Sequence, residues 1–137
     1  MKRIAIFAGS FDPFHDGHLY ILNKGLNLFN KVIVLVANSD EKLNHHSLEN
    51  RYQAVKQKIF IPNVKVEKLS NGYVADYAKK NNINYLIRGA RNCSDFDYEK
   101  LVNQTNKKIN GNLETIIFMP DPLSGKIRSS QLKKSTN

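Results

Sequence analysis

The 137-residue sequence predicts an α/β fold, in which an open sheet of five parallel strands is covered by helices on both faces. Short apolar runs rich in β-branched residues alternate with longer amphipathic segments, a pattern typical of buried parallel strands joined by helices. The order along the chain is βαβαβαβαβα. No repeat, low-complexity tract or Pro/Gly-rich linker divides the sequence, so we expect a single domain over residues 1–137.

The five predicted strands are short segments of mainly aliphatic residues. Strands of this composition are buried on both faces, because the helices that connect parallel strands cover both sides of the sheet. The strands are predicted at residues 4–8, 32–37, 64–69, 85–87 and 115–119.

Amphipathic segments between these strands predict the helices. Residues 18–29 carry leucines at helical spacing, and Ser47 can cap a second helix that runs to about residue 59. Residues 73–81 and 95–110 predict two more helices. The latter is expected to begin with Asp95 as its cap and to end before Gly111. The alternation also predicts a fifth helix after the last strand.

The segment GSFDPFHDGH, residues 9–18, follows the first strand and leads into the first helix. The first amides of a helix lack internal partners and lie at the positive end of its dipole, so a bound anion meets donors already in place. Gly9 lets the backbone approach a ligand, Ser10 offers a hydroxyl, and Gly17 brings the turn close to His18. This segment therefore predicts a phosphate site and chemistry on phosphoryl or nucleotide groups.

Basic and hydroxyl side chains collect at one edge of the predicted sheet. Ligands of such sheets bind beyond the carboxyl ends of the strands. Random placement would distribute these side chains over both edges, so their clustering predicts one polyanion site with several phosphate positions. Ser10 and His18 follow the first strand, Lys42 the second, Arg88 and Arg91 the fourth, and Ser129 and Ser130 the fifth.

Composition narrows the class of partner and the cellular environment. The net charge of +9, from 21 basic and 12 acidic side chains, favours an anionic partner of unspecified kind. The single cysteine, Cys93, excludes an intrachain disulfide and a CxxC metal module, as suits a reducing compartment. No segment approaches the roughly 18 apolar residues of a membrane span, and the N-terminus enters a strand pattern directly. We therefore expect a cytoplasmic protein with no membrane partner.

Three segments resemble a known enzyme family. Residues 9–18 are similar to the TxGH/HxGH signature of the nucleotidylyltransferase superfamily, with His15 at the position that is Thr or His there. Residues 88–99, RGARNCSDFDYE, resemble the RGLRxxxDFxYE block of bacterial phosphopantetheine adenylyltransferases, and residues 127–130, IRSS, resemble their ISSS. The similarity extends over essentially the whole chain and implies a Rossmann-like sheet.

The resemblance implies the reversible transfer of AMP from ATP to 4'-phosphopantetheine, which gives dephospho-CoA and pyrophosphate in the penultimate step of coenzyme A biosynthesis. It implies Mg²⁺ carried mainly by ATP, no metal site of the protein's own and no nucleic-acid partner. It also implies a homo-oligomer. Relatives commonly form hexamers, and the shorter C-terminus of this chain leaves the number of subunits open.

The resemblance also assigns roles to individual residues. His18, Lys42 and Arg91 would be the catalytic groups, with His18 stabilising charge on the reacting phosphate. The 4'-phosphopantetheine would be held by Ser10, Lys42, Val74 and Arg88. The ATP site would be formed by Ser10, Phe11, His18, Gly89, Ala90, Arg91, Glu99, Ser124, Gly125, Lys126, Ile127, Arg128, Ser129 and Ser130.

The same residues have other interpretations. Asp12, His15 and His18 are an alternative Zn²⁺ site. Against it, a catalytic zinc needs three ligands in well-placed geometry and a structural zinc needs four. Arg88 and Arg91 are alternatively members of a surface ion-pair network with nearby acidic residues, and Lys42 is alternatively a solvated lysine.

Three rival functions remain. An adenylyltransferase acting on nicotinate or nicotinamide mononucleotide would use the same sheet edge, and a cytidylyltransferase would share the HxGH signature, but the DFDYE block argues against both. The third is an inactive nucleotide- or nucleic-acid-binding module that uses the basic surface. Against nucleic acid, the sequence carries neither an RNP-like aromatic stripe nor a helix-turn-helix signal.

Overall fold

The computed structural model describes residues 2–38 and 44–121. These residues form five strands and four helices in strict alternation, which confirms the predicted α/β class. Lys42, the 124–130 segment and the predicted fifth helix lie outside the described residues. The elements are β1 (Ile4–Gly9), α1 (Asp16–Leu28), β2 (Lys31–Val36), α2 (Leu48–Lys58), β3 (Val64–Lys68), α3 (Val74–Lys80), β4 (Tyr85–Gly89), α4 (Cys93–Ile109) and β5 (Glu114–Phe118).

The strands form one parallel sheet in the order β3-β2-β1-β4-β5. The chain runs outward from β1 to β3 and then returns to place β4 on the other side of β1. The direction of winding therefore reverses between β1 and β4. In open α/β sheets, ligands bind at the carboxyl ends of the strands that flank such a reversal.

Helices cover both faces of the sheet, as predicted. Ala5 and Phe7 of β1 belong to a core cluster with Leu22 of α1 and Val55 of α2. Ile6 and Ala8, which alternate with them, belong to a second cluster that contains Ala75 and Ala78 of α3. The alternation of side chains along β1 thus packs one strand against both layers of helices.

Ser47 caps α2 as predicted, accepting from the backbone N–H of Asn50 at 3.1 Å, whereas α1 and α4 each start two residues earlier than predicted. Helix α4 begins at Cys93, and its N-cap is Asn92, whose side chain accepts a hydrogen bond from the backbone N–H of Asp95 at 2.8 Å. The prediction that Asp95 caps this helix is therefore wrong. Asp95 lies in the first turn, where its carboxylate accepts from the backbone N–H of Arg91 at 3.1 Å. Within the described residues, no helix has both the length and the apolar composition needed to cross a bilayer.

Candidate active site

A cavity of about 620 Å³ lies at the carboxyl edge of the sheet, where β1 and β4 end. Ser10, Val74 and Arg88, the described residues that were predicted to hold the phosphopantetheine, all line it. They come from the turn after β1, the start of α3 and the end of β4. Residues far apart in the chain therefore meet where the topology predicts a ligand.

The side of the cavity formed by α3 and α4 is partly apolar. Val74 and Val102 contribute aliphatic surface, and Tyr98 contributes a ring. Asn106 also lines the cavity and is 5% exposed, and its Nδ2 has no hydrogen-bond partner among the described residues. A buried amide donor without a partner is costly to a folded protein, so this atom is available to a ligand carbonyl.

The guanidinium of Arg88 is held in a fixed orientation. Its Nε donates to both carboxylate oxygens of Glu99 at 3.0 Å, and its Nη2 donates to Oε2 at 2.8 Å. Its Nη1 donates to the backbone carbonyl of Ala8 at 2.8 Å. These bonds to described residues engage three of the five guanidinium N–H donors, one of each nitrogen. One donor on each Nη remains for a ligand in the cavity.

The HxGH segment forms a compact cap at the start of α1. His15 is the N-cap, and its Nδ1 accepts from the backbone N–H of Gly17 at 3.1 Å. His18 reciprocates, because its Nδ1 accepts from the backbone N–H of His15 at 3.0 Å. The two rings stack with centroids 3.8 Å apart. A Cβ on residue 17 would lie 2.9 Å from Cε1 of His15, so any larger residue there would force the stacked His15 ring to shift.

The surroundings of His18 keep its imidazole neutral. Burial is the main cause that lowers the pKa of His18 from 6.5 to about 3, and the electrostatic effect of the adjacent His15 ring and the positive charges of Arg88, Arg91 and Lys58 add to it. Because Nδ1 accepts a hydrogen bond, the single proton of the neutral ring lies on Nε2. His18 is therefore a neutral hydrogen-bond donor at physiological pH.

Among the described residues of the predicted nucleotide site, Ser10 lines the cavity, whereas His18, Glu99, Phe11, Gly89, Ala90 and Arg91 lie outside its lining. Phe11 is 3% exposed and packs edge-on against His18, with ring centroids 5.0 Å apart. Arg91 is exposed, and its Nε lies 3.5 Å from Oδ2 of Asp95. Gly89 ends β4, and the N–H of Ala90 donates to the carbonyl of Phe118. The roles predicted for these residues stay predictions.

The alternative zinc site is wrong. The described residues contain no group of three His, Cys, Asp or Glu side chains able to hold a metal ion. The carboxylate of Asp12 instead accepts from the backbone N–H of His45 at 2.6 Å and contacts Nδ1 of His46 at 2.6 Å. The alternative ion-pair network is present in part, since Arg88 pairs with Glu99 and Arg91 with Asp95.

Two polar anchors of this edge were not predicted. Asp12 ties the turn after β1 to the segment before α2, and the hydrogen bond from His46 holds the pKa of its carboxyl below the usual value. Arg51 of α2 is 3% exposed and bonds to backbone carbonyls of three segments. The sequence gives no sign that Arg51 is buried, because the carbonyls that accept its hydrogen bonds lie in distant segments of the chain.

Known proteins resemble this chain in sequence and in fold. The cytidylyltransferase-like family matches residues 6–135. Over 133 residues the chain is 41% identical to a phosphopantetheine adenylyltransferase of Caldanaerobacter subterraneus subsp. tengcongensis, an alignment that covers 96% of this chain and 82% of that protein.

Two solved structures share the fold with little sequence identity. A lipopolysaccharide core biosynthesis protein from Thermoplasma volcanium has a TM-score of 0.61 and 18% identity, over 88% of this chain and 98% of that one. A bifunctional NMN adenylyltransferase/ADP ribose pyrophosphatase from Francisella tularensis, complexed with AMP and a manganese ion, has a TM-score of 0.61 and 20% identity, over 96% of this chain and 44% of that one. Together with the family match, the 41% identity confirms the resemblance seen in the motifs. The chain belongs to the cytidylyltransferase-like family and, within it, to the phosphopantetheine adenylyltransferases.

Proposed function

We propose that this chain catalyses the reversible transfer of AMP from ATP to 4'-phosphopantetheine, giving dephospho-CoA and pyrophosphate. The observation that carries the proposal is the meeting of Ser10, Val74 and Arg88 in one cavity at the reversal of the sheet. The 41% identical phosphopantetheine adenylyltransferase supports the same reaction.

The cavity suits an acceptor that has a phosphate at one end and an uncharged amide-containing arm. The two N–H donors of Arg88 that bind no described residue match a phosphate, together with the hydroxyl of Ser10. Val74 and Val102 offer aliphatic contact to the arm, and the unpartnered Nδ2 of Asn106 offers a donor to one of its carbonyls. Phosphate and arm recognition thus lie in the same space.

The reaction needs no activated side chain as nucleophile. An oxygen of the acceptor phosphate attacks the α-phosphorus of ATP, the new P–O bond forms, and the bond to the β-phosphate oxygen breaks as pyrophosphate leaves with its electron pair. The phosphate is already anionic near neutral pH, so the main difficulty is to align two anions that repel each other. Orientation of this kind can contribute about 7–11 kcal/mol to catalysis.

His18 suits a role in charge stabilisation. Its neutral ring donates through Nε2–H to a phosphate oxygen that gains charge in the transition state, and it gives no proton away. The positive charges of Arg88 and Arg91, which act on the His18 ring, offset the negative charge of the phosphates. Lys42 and the 124–130 segment are proposed to add further phosphate and nucleotide contacts, as the family resemblance implies.

ATP is proposed to enter as its Mg²⁺ complex. Mg²⁺ dehydrates reluctantly, so it usually keeps several waters and binds through substrate phosphates rather than in a cage of protein ligands. We also propose a cytoplasmic enzyme that forms a homo-oligomer, whose size sedimentation velocity would measure.

A paired substrate assay tests the proposed reaction. The full chain receives Mg·ATP with 4'-phosphopantetheine or, separately, with nicotinate mononucleotide, and pyrophosphate and the adenylated product are both measured. We expect product only from 4'-phosphopantetheine, and reversal when dephospho-CoA and pyrophosphate are supplied. The matched variants are Arg88→Met, which should lose activity, and Arg3→Met at an exposed position, which should keep it. Product only from nicotinate mononucleotide would refute the acceptor while leaving adenylyl transfer intact.

A further inference from the structure

Arg51 carries an inference that the family motifs do not contain. It lies in the first turns of α2, and 3% of its surface is exposed. Its Nε donates to the carbonyl of His46 at 3.0 Å, and its Nη1 donates to the carbonyls of Ser10 at 2.8 Å and Ala37 at 2.9 Å. Its Nη2 bonds to Oδ1 of Asn38. One side chain thus joins the ends of β1 and β2 to the segment before α2.

These partners of the Arg51 guanidinium are neutral. Its hydrogen bonds in the described part of the chain go to three carbonyls and an amide, and none of these four goes to a carboxylate. Burial of a cation without a contacting anion is costly, and here it lowers the pKa of Arg51, an effect that the charge of Asp12 opposes. Arg88, by contrast, pairs with Glu99. A buried cation in such surroundings attracts anions that bind nearby.

Three of the four residues that Arg51 contacts line the cavity. Ser10, Ala37 and Asn38 all form part of its wall, so the guanidinium lies directly behind that wall. We propose that Arg51 is a positioning residue for adenylyl transfer, which fixes the Ser10 turn against the end of β2 and places a permanent positive charge behind the phosphate end of the cavity. The proposal rests on the proposed function for its reaction, but the contacts on which it is built do not.

The geometry explains why an arginine is required here. Both carbonyls that bind Nη1 lie at strand ends, where the backbone leaves the sheet, and the planar fork reaches them together with His46 and Asn38. A lysine keeps the charge but has a single ammonium on a flexible stem, so it cannot reproduce this set of contacts. In Arg51→Lys, Ser10 is therefore free to shift relative to the bound phosphate.

A double-mutant cycle separates positioning from general structural support. Arg51→Lys is compared with the wild type and, in a Ser10→Ala background, with Ser10→Ala alone, while Arg3→Met serves as the exposed control. We expect Arg51→Lys to lower kcat/KM for adenylyl transfer by about 10²-fold, because a displacement of about 1 Å at a reacting group can cost that much. In the Ser10→Ala background the same change should cost less than about threefold, since the group that Arg51 positions is gone. Equal losses in the two backgrounds would overturn the proposal.

Binding measurements distinguish failure of this proposal from failure of the proposed function. Calorimetry with ATP alone needs no turnover, and we expect Arg51→Lys to weaken ATP binding at least fivefold relative to Arg3→Met. If the wild type transfers no AMP to 4'-phosphopantetheine while this weakening is found, the reaction is wrong and the role of Arg51 stands. If the wild type is active and Arg51→Lys matches Arg3→Met in both assays, only the role of Arg51 is overturned. Should Arg51→Lys not fold, Arg51→Gln replaces it in the same cycle.

Discussion

The imidazole of His18 shows how a local hydrogen bond determines a chemical role. Because Nδ1 is occupied by the N–H of His15, Nε2–H is the ring donor, and no hydrogen bond joins it to a described residue. His18→Asn keeps an acceptor for that N–H but removes the Nε2 donor, so the helix cap should persist while transition-state stabilisation is lost. We expect kcat to fall by about 10²-fold or more, the cost of one oxyanion donor. His45→Ala, at an exposed position, is the control, and an unchanged kcat in His18→Asn would exclude His18 from the mechanism.

The low pKa of His18 also makes stability depend on pH. The folded-state value is about 3 and the reference value is 6.5, so the unfolded chain binds a proton in the interval where the folded chain does not. The neutral ring makes its full contribution to the stability of the fold above pH 6.5, and this contribution is lost as the pH falls from 6.5 toward 3. We expect His18→Asn to lose less thermal stability than the wild type between about pH 7 and about pH 4. If the melting temperatures of the two proteins fell by the same amount across this pH range, the lowered pKa of His18 would be contradicted. Asp12 contributes at lower pH, because its folded pKa lies below 3.8.

Asn106 offers a prediction in which binding and stability change in opposite directions. Its buried Nδ2 has no partner in the described part of the chain, so Asn106→Leu removes an unpaired donor and should leave the melting temperature equal or higher. The same change removes a donor from the proposed acceptor site. We expect KM for 4'-phosphopantetheine to rise about fivefold, which corresponds to about 1 kcal/mol for a hydrogen bond. Gln104→Leu, exposed on the same helix, should change neither quantity. A lower melting temperature with unchanged KM would assign Asn106 a structural role.

At the residue level, the sequence predicted the residues that line the cavity better than the buried residues that hold them in place. Ser10 and Arg88 were predicted from their places after β1 and β4, and Val74 from the family resemblance, and all three line one cavity. Arg51 was not identified, because its burial depends on carbonyls up to 41 residues away. Local patterns report side-chain type and spacing, whereas a buried cation is recognised only once the segments around it are placed.

At the level of elements, α4 contacts the sheet through a largely buried ion pair. The side chain of Glu99 is 5% exposed, and it binds the Arg88 side chain of β4, which is 23% exposed. Glu99→Ala leaves the cation unpaired and should destabilise the fold by about 3 kcal/mol, as expected when one partner of a buried pair is removed. Chemical denaturation measures this, with Asp97→Ala on the exposed side of the same helix as the control, expected within about 0.5 kcal/mol of the wild type. A Glu99→Ala loss as small as that of Asp97→Ala would refute the role of the pair.

The elements themselves were predictable where one signal dominated. Each strand lies within two residues of its prediction, because the apolar runs are short and bounded by polar residues. The start of α4 was misplaced because Asn92 and Asp95 are both good capping residues. Only the three-dimensional turn shows that Asn92 accepts the hydrogen bond and Asp95 bonds backward to Arg91. Competing caps of similar strength are a general limit on predicting helix starts.

At the scale of the molecule, the strand order places the site. The sequence predicted the carboxyl edge of a parallel sheet, but it did not determine that β4 returns to pair with β1. That return brings Arg88 of β4 beside the carbonyl of Ala8 at the end of β1. The cavity therefore arises from long-range pairing, which local sequence patterns do not encode.

The net charge of +9 leads to a prediction for the whole enzyme. An excess of basic side chains raises the local concentration of anionic substrates, and dissolved salt screens this attraction. Raising the ionic strength from about 0.01 M to about 0.1 M shortens the Debye length from about 30 Å to about 10 Å. We expect kcat/KM to fall several-fold over this range while kcat at saturating substrate stays nearly constant, because screening acts on encounter more than on the bound complex. Steady-state kinetics at constant pH and Mg²⁺ measures both constants. A kcat/KM independent of salt, together with steeply salt-dependent binding of polynucleotides, would instead assign the charge to nucleic acid.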